Sequence, residues 1–261
     1  MAHGNMYYVT TVFFDECYDA KHNYLILGAL FNPEPHKIHR IFRQEKRDRY
    51  YFNRDGTAKE IKYSFCTTHY RCRVAKCAVD CFIDSSSLFR AIVIDQRPDS
   101  EFGLDYFGTH NESNAIKEAR AYKKFTELLL KSNIADVSGG ILYADRLTRC
   151  KGNEFIPLII ELFGKPNCNY SVGKSKPVFR YVQEVDTALE QYHVGQIGDI
   201  LQGVILCELV PPKNRYKREL NRYVKQQLNL NSLGQTYWQN LPKWKQDLIH
   251  AKYQIWYWKP D

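Results

Sequence analysis

Four acidic residues interrupt otherwise apolar stretches of this 261-residue chain, and their placement limits what it can fold into. Phe13-Phe14-Asp15-Glu16 closes one apolar run, and Ile141-Leu142-Tyr143-Ala144-Asp145 closes another. Gln196-Ile197-Gly198-Asp199-Ile200-Leu201 sets a third acid inside a helix-like stretch, and Glu60 opens Glu60-Ile61-Lys62-Tyr63-Ser64-Phe65. A carboxylate is costly to bury unless it is paired or bound to a cation. A fold that gathers several of them makes a site for a hard divalent ion, because Mg²⁺ prefers carboxylate oxygens. That points to metal-assisted chemistry on phosphate esters.

The apolar runs themselves predict the framework. Tyr7 to Phe14 and Tyr24 to Phe31 are rich in β-branched and aromatic residues and flank a polar turn at 19–23, the pattern of an antiparallel hairpin. Leu88 to Ile94, Val137 to Leu142 and Pro177 to Val185 bring the expected strands to five. Helical spacing runs through Ile38, Ile41 and Phe42 after Pro33 and Pro35, and again over 67–82, 111–130 and 155–163. A longer helix is expected from Ala188 to Val210, stopping before Pro211-Pro212. Three strands followed by strand–helix–strand–helix imply an α/β fold: a mixed five-stranded sheet flanked by helices, its later strands parallel and joined by right-handed crossovers.

One domain is expected over 1–212, with a basic, aromatic C-terminal extension at 213–261 packed on it. Tyr216 to Leu228 has the pattern of a basic amphipathic helix, and all four tryptophans (Trp238, Trp244, Trp256 and Trp258) lie in the extension. Rings interleaved with cations suit a platform for single-stranded nucleic acid, where bases stack and cations meet phosphates. The competing reading is that Tyr253 to Trp258 alternates like a docked edge strand that completes the core.

The formal net charge of +8 favours an anionic partner, nucleic acid first. The 8 cysteines include no Cys-x-x-Cys pair, and Cys72, Cys77 and Cys81 follow one side of a helix rather than a zinc spacing. Reduced thiols in a cytoplasmic protein are the expectation. No signal peptide is expected ahead of strand-like Tyr7, and no apolar stretch is long enough to span a bilayer. Walker-type phosphate loops, Gly-x-Ser-x-Gly elbows and His-Glu-x-x-His zinc motifs are all missing from the sequence. A Cys17 nucleophile is disfavoured by the two acids beside it.

Placement makes the acids a constellation. Ligand sites in open α/β sheets gather at the carboxyl ends of strands, where Asp15 and Asp145 are expected. Strand alternation sends Glu16 to the opposite face from Asp15. Gln196, Asp199 and Gly203 share one helical face, and Gly195, Gly198 and Gly203 let that helix lie close against the sheet. Glu60 would be a fourth ligand. His193, one turn before Asp199 and beside Gln196, is a candidate acid–base group, and Lys62 and Arg146 are candidates to neutralise phosphate charge. Asp95 and Asp186 end further strands and stand in reserve. Each residue also has an ordinary reading: hairpin-end acids at Asp15 and Glu16, an Asp145 pair with Arg146 or Arg149, a solvated Glu60, a packing His193.

Taken in order, these segments resemble the ribonuclease-H-like superfamily, and within it the domain-of-unknown-function 3800 family. The likeness rests on Asp15-Glu16-Cys17-Tyr18, Leu27-Gly28-Ala29-Leu30, Glu60-Ile61-Lys62, Tyr143-Ala144-Asp145-Arg146 and Gln196-Ile197-Gly198-Asp199-Ile200-Leu201-Gln202-Gly203. It runs from about residue 7 to residue 210; Cys17-Tyr18 stands where the family has Ser-Gly. The resemblance implies a ribonuclease-H-like sheet with metal-binding carboxylates at Asp15, Glu60, Asp145 and Asp199, holding Mg²⁺ or Mn²⁺. The expected function is a metal-dependent nuclease, with Lys62, Arg146, His193 and Gln196 facing the substrate; the alternative is a non-catalytic module that binds nucleic acid or a protein partner. Carboxylates left to repel one another would favour the enzyme, and carboxylates tied to guanidinium groups the binder.

Overall fold

The computed structural model describes residues 10–97, 104–131, 133, 139–146, 154–166, 178–233 and 252–257. Strand β1 (Thr11–Tyr18) pairs antiparallel with β2 (Tyr24–Asn32), placing Asp15 opposite Gly28 and Tyr18 opposite Leu25. The hairpin is longer than its apolar letters suggest, so Asp15 and Glu16 lie inside β1 rather than after it. Asp19 makes the turn: its carboxylate accepts the Lys21 and Tyr24 N–H groups, and His22 takes a left-handed φ of 54°. The expected start at Tyr7 lies outside the described residues.

Helix α1 (Pro35–Asp48) starts on a proline, whose missing N–H costs nothing in a first turn. Helix α2 (His69–Ile83) is capped by the Thr68 side chain, which accepts the Arg71 N–H. Strand β3 (Leu88–Asp95) returns antiparallel to β2. Then come α3 (Asn114–Lys131), β4 (Gly140–Asp145), α4 (Phe155–Phe163) and β5 (Phe179–Val185), with β4 parallel to both β1 and β5.

Helix α5 (Gly195–Leu209) is shorter than the sequence pattern implied. Residues 186–194 instead fold into turns around a 3₁₀ segment, Glu190–Tyr192. Asp186 accepts the Ala188 N–H there, and a Cβ at Gly195 would fall 2.9 Å from the Thr187 methyl. Helix α6 (Arg215–Gln227) is capped by Asn214, and β6 (Tyr253–Tyr257) closes the described chain.

The sheet order is β5-β4-β1-β2-β3-β6, so there are six strands where five were expected. The additional one is Tyr253–Tyr257, which pairs parallel to β3 from Phe89↔Tyr253 to Val93↔Tyr257. The docked-strand reading of the aromatic tail is therefore the one that describes this segment; Trp238, Trp244 and Trp258 lie outside the described residues.

Helices cover both faces. Residues of α3 and α4, among them Phe125, Leu129 and Phe155, bury Phe14, Leu27 and Ile92 on one face. Residues of α1, α2, α5 and α6 pack over Phe13, Ile26, Leu30 and Ala91 on the other. Full burial of each large apolar side chain contributes about 1.5–3 kcal/mol. Among the described residues, no helix is long and apolar enough to cross a membrane.

Candidate functional site

Register brings the first two acids together. Phe14 pairs with Ala144 across parallel strands, so Asp15 and Asp145 follow side by side at the carboxyl end of that pairing, on strands spaced about 4.8 Å apart. Both share the sheet face of Phe13 and Tyr143, whose rings lie 5.5 Å apart. Helix α5 crosses that face and adds Asp199 from above.

The approach of α5 depends on two glycines. A Cβ at Gly28 would fall 2.6 Å from Gln202 Nε2, which donates to the carbonyls of Asp15 (2.8 Å) and Ile26 (3.3 Å). A Cβ at Gly203 would lie 2.0 Å from Cγ of Tyr63. With that space open, the Tyr63 ring packs on the helix and its backbone N–H donates to Asp199 Oδ2 at 2.6 Å.

Asp145 is held from two sides. The Thr187 N–H and hydroxyl donate to its two oxygens at 3.3 and 3.1 Å, and Lys62 Nζ reaches Oδ2 at 3.5 Å. Lys62 also meets Glu60 at 3.1 Å. The structure therefore gathers Asp15, Asp145, Asp199, Glu60 and Lys62.

Charge in this cluster is poorly relieved. Asp15 and Asp199 sit deep enough for burial to dominate their protonation, yet both keep some accessible surface. Burial, then repulsion from Asp199 and Asp145, raises the Asp15 carboxyl well above the carboxylate range, although the Glu16 N–H bonds it at 2.8 Å. Burial also raises Asp199 to about 6, with Asp145 and Glu60 adding to it against the pull of the Tyr63 N–H and Lys62. Against its own desolvation, Lys62 is kept firmly protonated by Asp145 and Glu60. Among the described residues, Lys62 is the only cation in ion-pair contact with any of these acids.

Whether a divalent ion fits depends on two observations. The donors are all hard oxygens carrying excess negative charge, which suits Mg²⁺ or Mn²⁺. Yet among the described residues no three His, Cys, Asp or Glu side chains stand close enough to form a ready-made metal shell. The donor chemistry fits a hard divalent ion; the spacing of the described side chains does not by itself form its shell.

Two of the expected substrate-facing groups are buried elsewhere. His193 (2% exposed) and Gln196 (0%) are buried in a knot around Lys46, itself 0% exposed. Lys46 Nζ donates to Lys59 O at 2.8 Å and Gln196 Oε1 at 2.8 Å, and lies 2.9 Å from His193 Nδ1. Gln196 Oε1 also accepts the Ile61 N–H at 3.1 Å, while its Nε2 donates to Thr187 O at 2.5 Å. Burial, reinforced by Lys46, lowers His193 to about 4, which removes it as a surface proton shuttle. Arg146 is exposed, and only its backbone N–H is bonded to Asp145. Of the reserve acids, Asp95 is tied to Arg97 at 2.6 Å and Asp186 caps its own turn.

Thr187, Gln202 and the Tyr63 N–H were not legible as site groups from the sequence. The one available signal was glycine: Gly28 in mid-strand and Gly203 in mid-helix mark the two places where another chain segment must pass close. Cys17 lies nearby, and burial with Asp199 and Asp15 drives its thiol far up, which disfavours the nucleophilic thiolate. Cys17, Cys66, Cys72, Cys77, Cys81 and Cys207 are all free thiols; Cys150 and Cys168 lie outside the described residues.

The fold and site together define an α/β protein with a six-stranded mixed sheet flanked by helices and an under-neutralised carboxylate cluster at the strand ends. No protein-family model, curated protein or solved structure matches the chain.

Proposed function

We propose that this protein is a divalent-metal-dependent hydrolase of nucleic-acid phosphodiesters, with a ribonuclease-H-like arrangement of its sheet. One observation carries the reading: acids from β1, β4 and α5 repel one another at the carboxyl ends of the strands, with Lys62 as the cation in ion-pair contact and, among the described residues, no guanidinium paired to them. A structural ion pair would neutralise such a cluster; here repulsion is left for a ligand cation to relieve. The mixed sheet, with β1–β3 antiparallel and β4 and β5 parallel to β1, supports the fold assignment.

Asp15, Asp145 and Asp199 would hold Mg²⁺ or Mn²⁺, with Glu60 assisting. When bound, the ion would supply Lewis-acid polarisation and a more acidic water. Thr187 and the Tyr63 N–H fix the orientations of Asp145 and Asp199. Lys62, held cationic, offsets negative charge that builds on a phosphate oxygen, and Arg146 at the exposed rim contacts the incoming backbone.

The missing ready-made metal shell among the described residues favours a second reading, a non-catalytic nucleic-acid or protein-binding module in which Lys62 is the permanent counter-ion. Calorimetric titration of Mn²⁺ and Mg²⁺, with and without a hydrolysis-resistant phosphorothioate oligonucleotide, beside a cleavage assay on the unmodified oligonucleotide, separates the two. Saturable binding and Mn²⁺-dependent cleavage, both abolished in Asp15→Asn and Asp199→Asn, are expected. Absence of both metal binding and cleavage with folded wild type overturns the hydrolase reading and leaves the binding module as the one to test.

A further inference from the structure

We infer that an open groove beside the carboxylates is a stacking site for the unpaired bases of a single-stranded nucleic acid. This deepens the function proposed above and rests on its nucleic-acid substrate class. The groove has a volume of about 380 Å³ and lies between the first half of α1, the starts of β1 and β4, and residues 191–194.

Phe13, Tyr143 and Tyr192 line the groove, and Tyr181 extends the run of rings just outside it. Tyr143 lies 5.5 Å from Phe13, 5.2 Å from Tyr192 and 6.2 Å from Tyr181. The rings grade from core to solvent: Phe13 is 6% exposed, Tyr143 and Tyr192 are half-buried, and Tyr181 is 41% exposed. Core packing accounts for Phe13 and, in part, for Tyr143; Tyr192 and Tyr181 continue the run outward beyond it.

The opposite side carries basic residue types, with the arginines beside the groove rather than in its lining. His36, His39, Arg40 and Arg43 recur at helical spacing along one side of α1, and both histidines line the groove. Arg43 pairs with Glu190, and His39 Nε2 lies 2.8 Å from the Glu190 carbonyl. Arg40 is exposed and has no acidic partner among the described residues. Aromatic faces for bases beside cations for phosphates are the two parts of a single-strand platform. A duplex hides its base faces and would gain nothing from the rings.

Strand alternation ties the groove to the acids. Thr11, Phe13 and Asp15 share one face of β1, and Ile141, Tyr143 and Asp145 share the same face of β4. Asp145 is thus about 7 Å along the strand from Tyr143. The intervening wall serves both sites, because Thr187 holds Asp145 while Tyr192 and Val194 line the groove. Bases seated on the rings would lead a neighbouring phosphate toward the carboxylates.

The test is fluorescence anisotropy with a labelled oligothymidylate of about twelve nucleotides, within the span of such platforms. Chelator keeps hydrolysis out of the measurement, and the same sequence as a duplex is the control. Wild type is expected to prefer the single strand. Tyr181→Leu and Tyr192→Leu, which keep apolar volume, should each weaken binding by about tenfold. Arg40→Glu should weaken it and flatten its salt dependence. Circular dichroism melts establish that each variant is folded.

No single-strand binding by wild type, equal affinity for the duplex, or unchanged affinity in the folded Tyr181→Leu/Tyr192→Leu double variant overturns the inference. Binding that obeys the ring variants, with no Mn²⁺-dependent cleavage, overturns only hydrolysis. Cleavage with binding indifferent to the rings overturns only the groove.

Discussion

Two buried polar clusters flank residues 59–63, and they are built on opposite terms. At one end, Lys46 has three acceptors around its three potential N–H donors: Lys59 O, Gln196 Oε1 and His193 Nδ1. Burial draws its amine down to about 7, yet the acceptor geometry matches an ammonium. At the other end, Asp15, Asp145 and Asp199 share one lysine and retain repulsion. The first cluster is satisfied and closed to solvent; the second is unsatisfied and partly open. The same chain has solved polar burial completely a few residues from where it has left it unsolved, which marks the second cluster as a place for a ligand.

The sharpest way to break this contrast is Lys46→Met. It leaves the Lys59 carbonyl and His193 Nδ1 without their donor, at an expected cost of about 2–4 kcal/mol in denaturant unfolding. A loss under about 0.5 kcal/mol would show that the knot is not the brace described. Gly203→Ala comes next. Its Cβ would overlap the Tyr63 ring, so about 1–3 kcal/mol of stability should go, together with the Tyr63 N–H bond to Asp199. Unchanged stability would mean that Tyr63 packs elsewhere.

Asp199→Asn is expected to act in the other direction. An acid raised to about 6 when folded binds more protons than its unfolded counterpart between about pH 4 and 6, so its contribution declines as pH rises through that window. The amide cannot titrate, so the substitution removes the decline. The variant should melt higher than wild type at about pH 8 and gain less at about pH 4, while losing Mn²⁺ binding. A lower melting temperature on the alkaline side would mean that Asp199 is a structural acid. The smallest effect belongs to Asp95→Asn, which weakens a partly exposed pair with Arg97 and should stay within about 0.5 kcal/mol. Loss of Mn²⁺ binding there would move the metal site.

Apolar periodicity carried most of the framework, because β1–β5 and the helices bury the faces that their patterns mark. It failed where tertiary contacts override local letters. Residues 188–194 look helical, but turns around Glu190–Tyr192 place Thr187 on Asp145 and His193 on Lys46. The acids were legible because charge inside an apolar run is conspicuous. His193 and Gln196 were misplaced because helical spacing says which residues share a face, not which face is buried. Thr187 and Gln202 went unseen, since their roles arise from residues more than forty positions away in the chain.

The last strand has a consequence for how the molecule comes into being. β6 pairs along β3, but residues 96–252 separate them in the chain. At a synthesis rate of about 5–20 residues per second, the outer edge of β3 waits about 8–30 s for its neighbour. During that interval Phe89, Ala91, Ile92, Val93 and Ile94 present an unsealed backbone edge beside apolar side chains, which is a template for pairing between nascent chains. A shortened product lacking Tyr253–Tyr257 would keep every acid of the cluster and still be prone to aggregate.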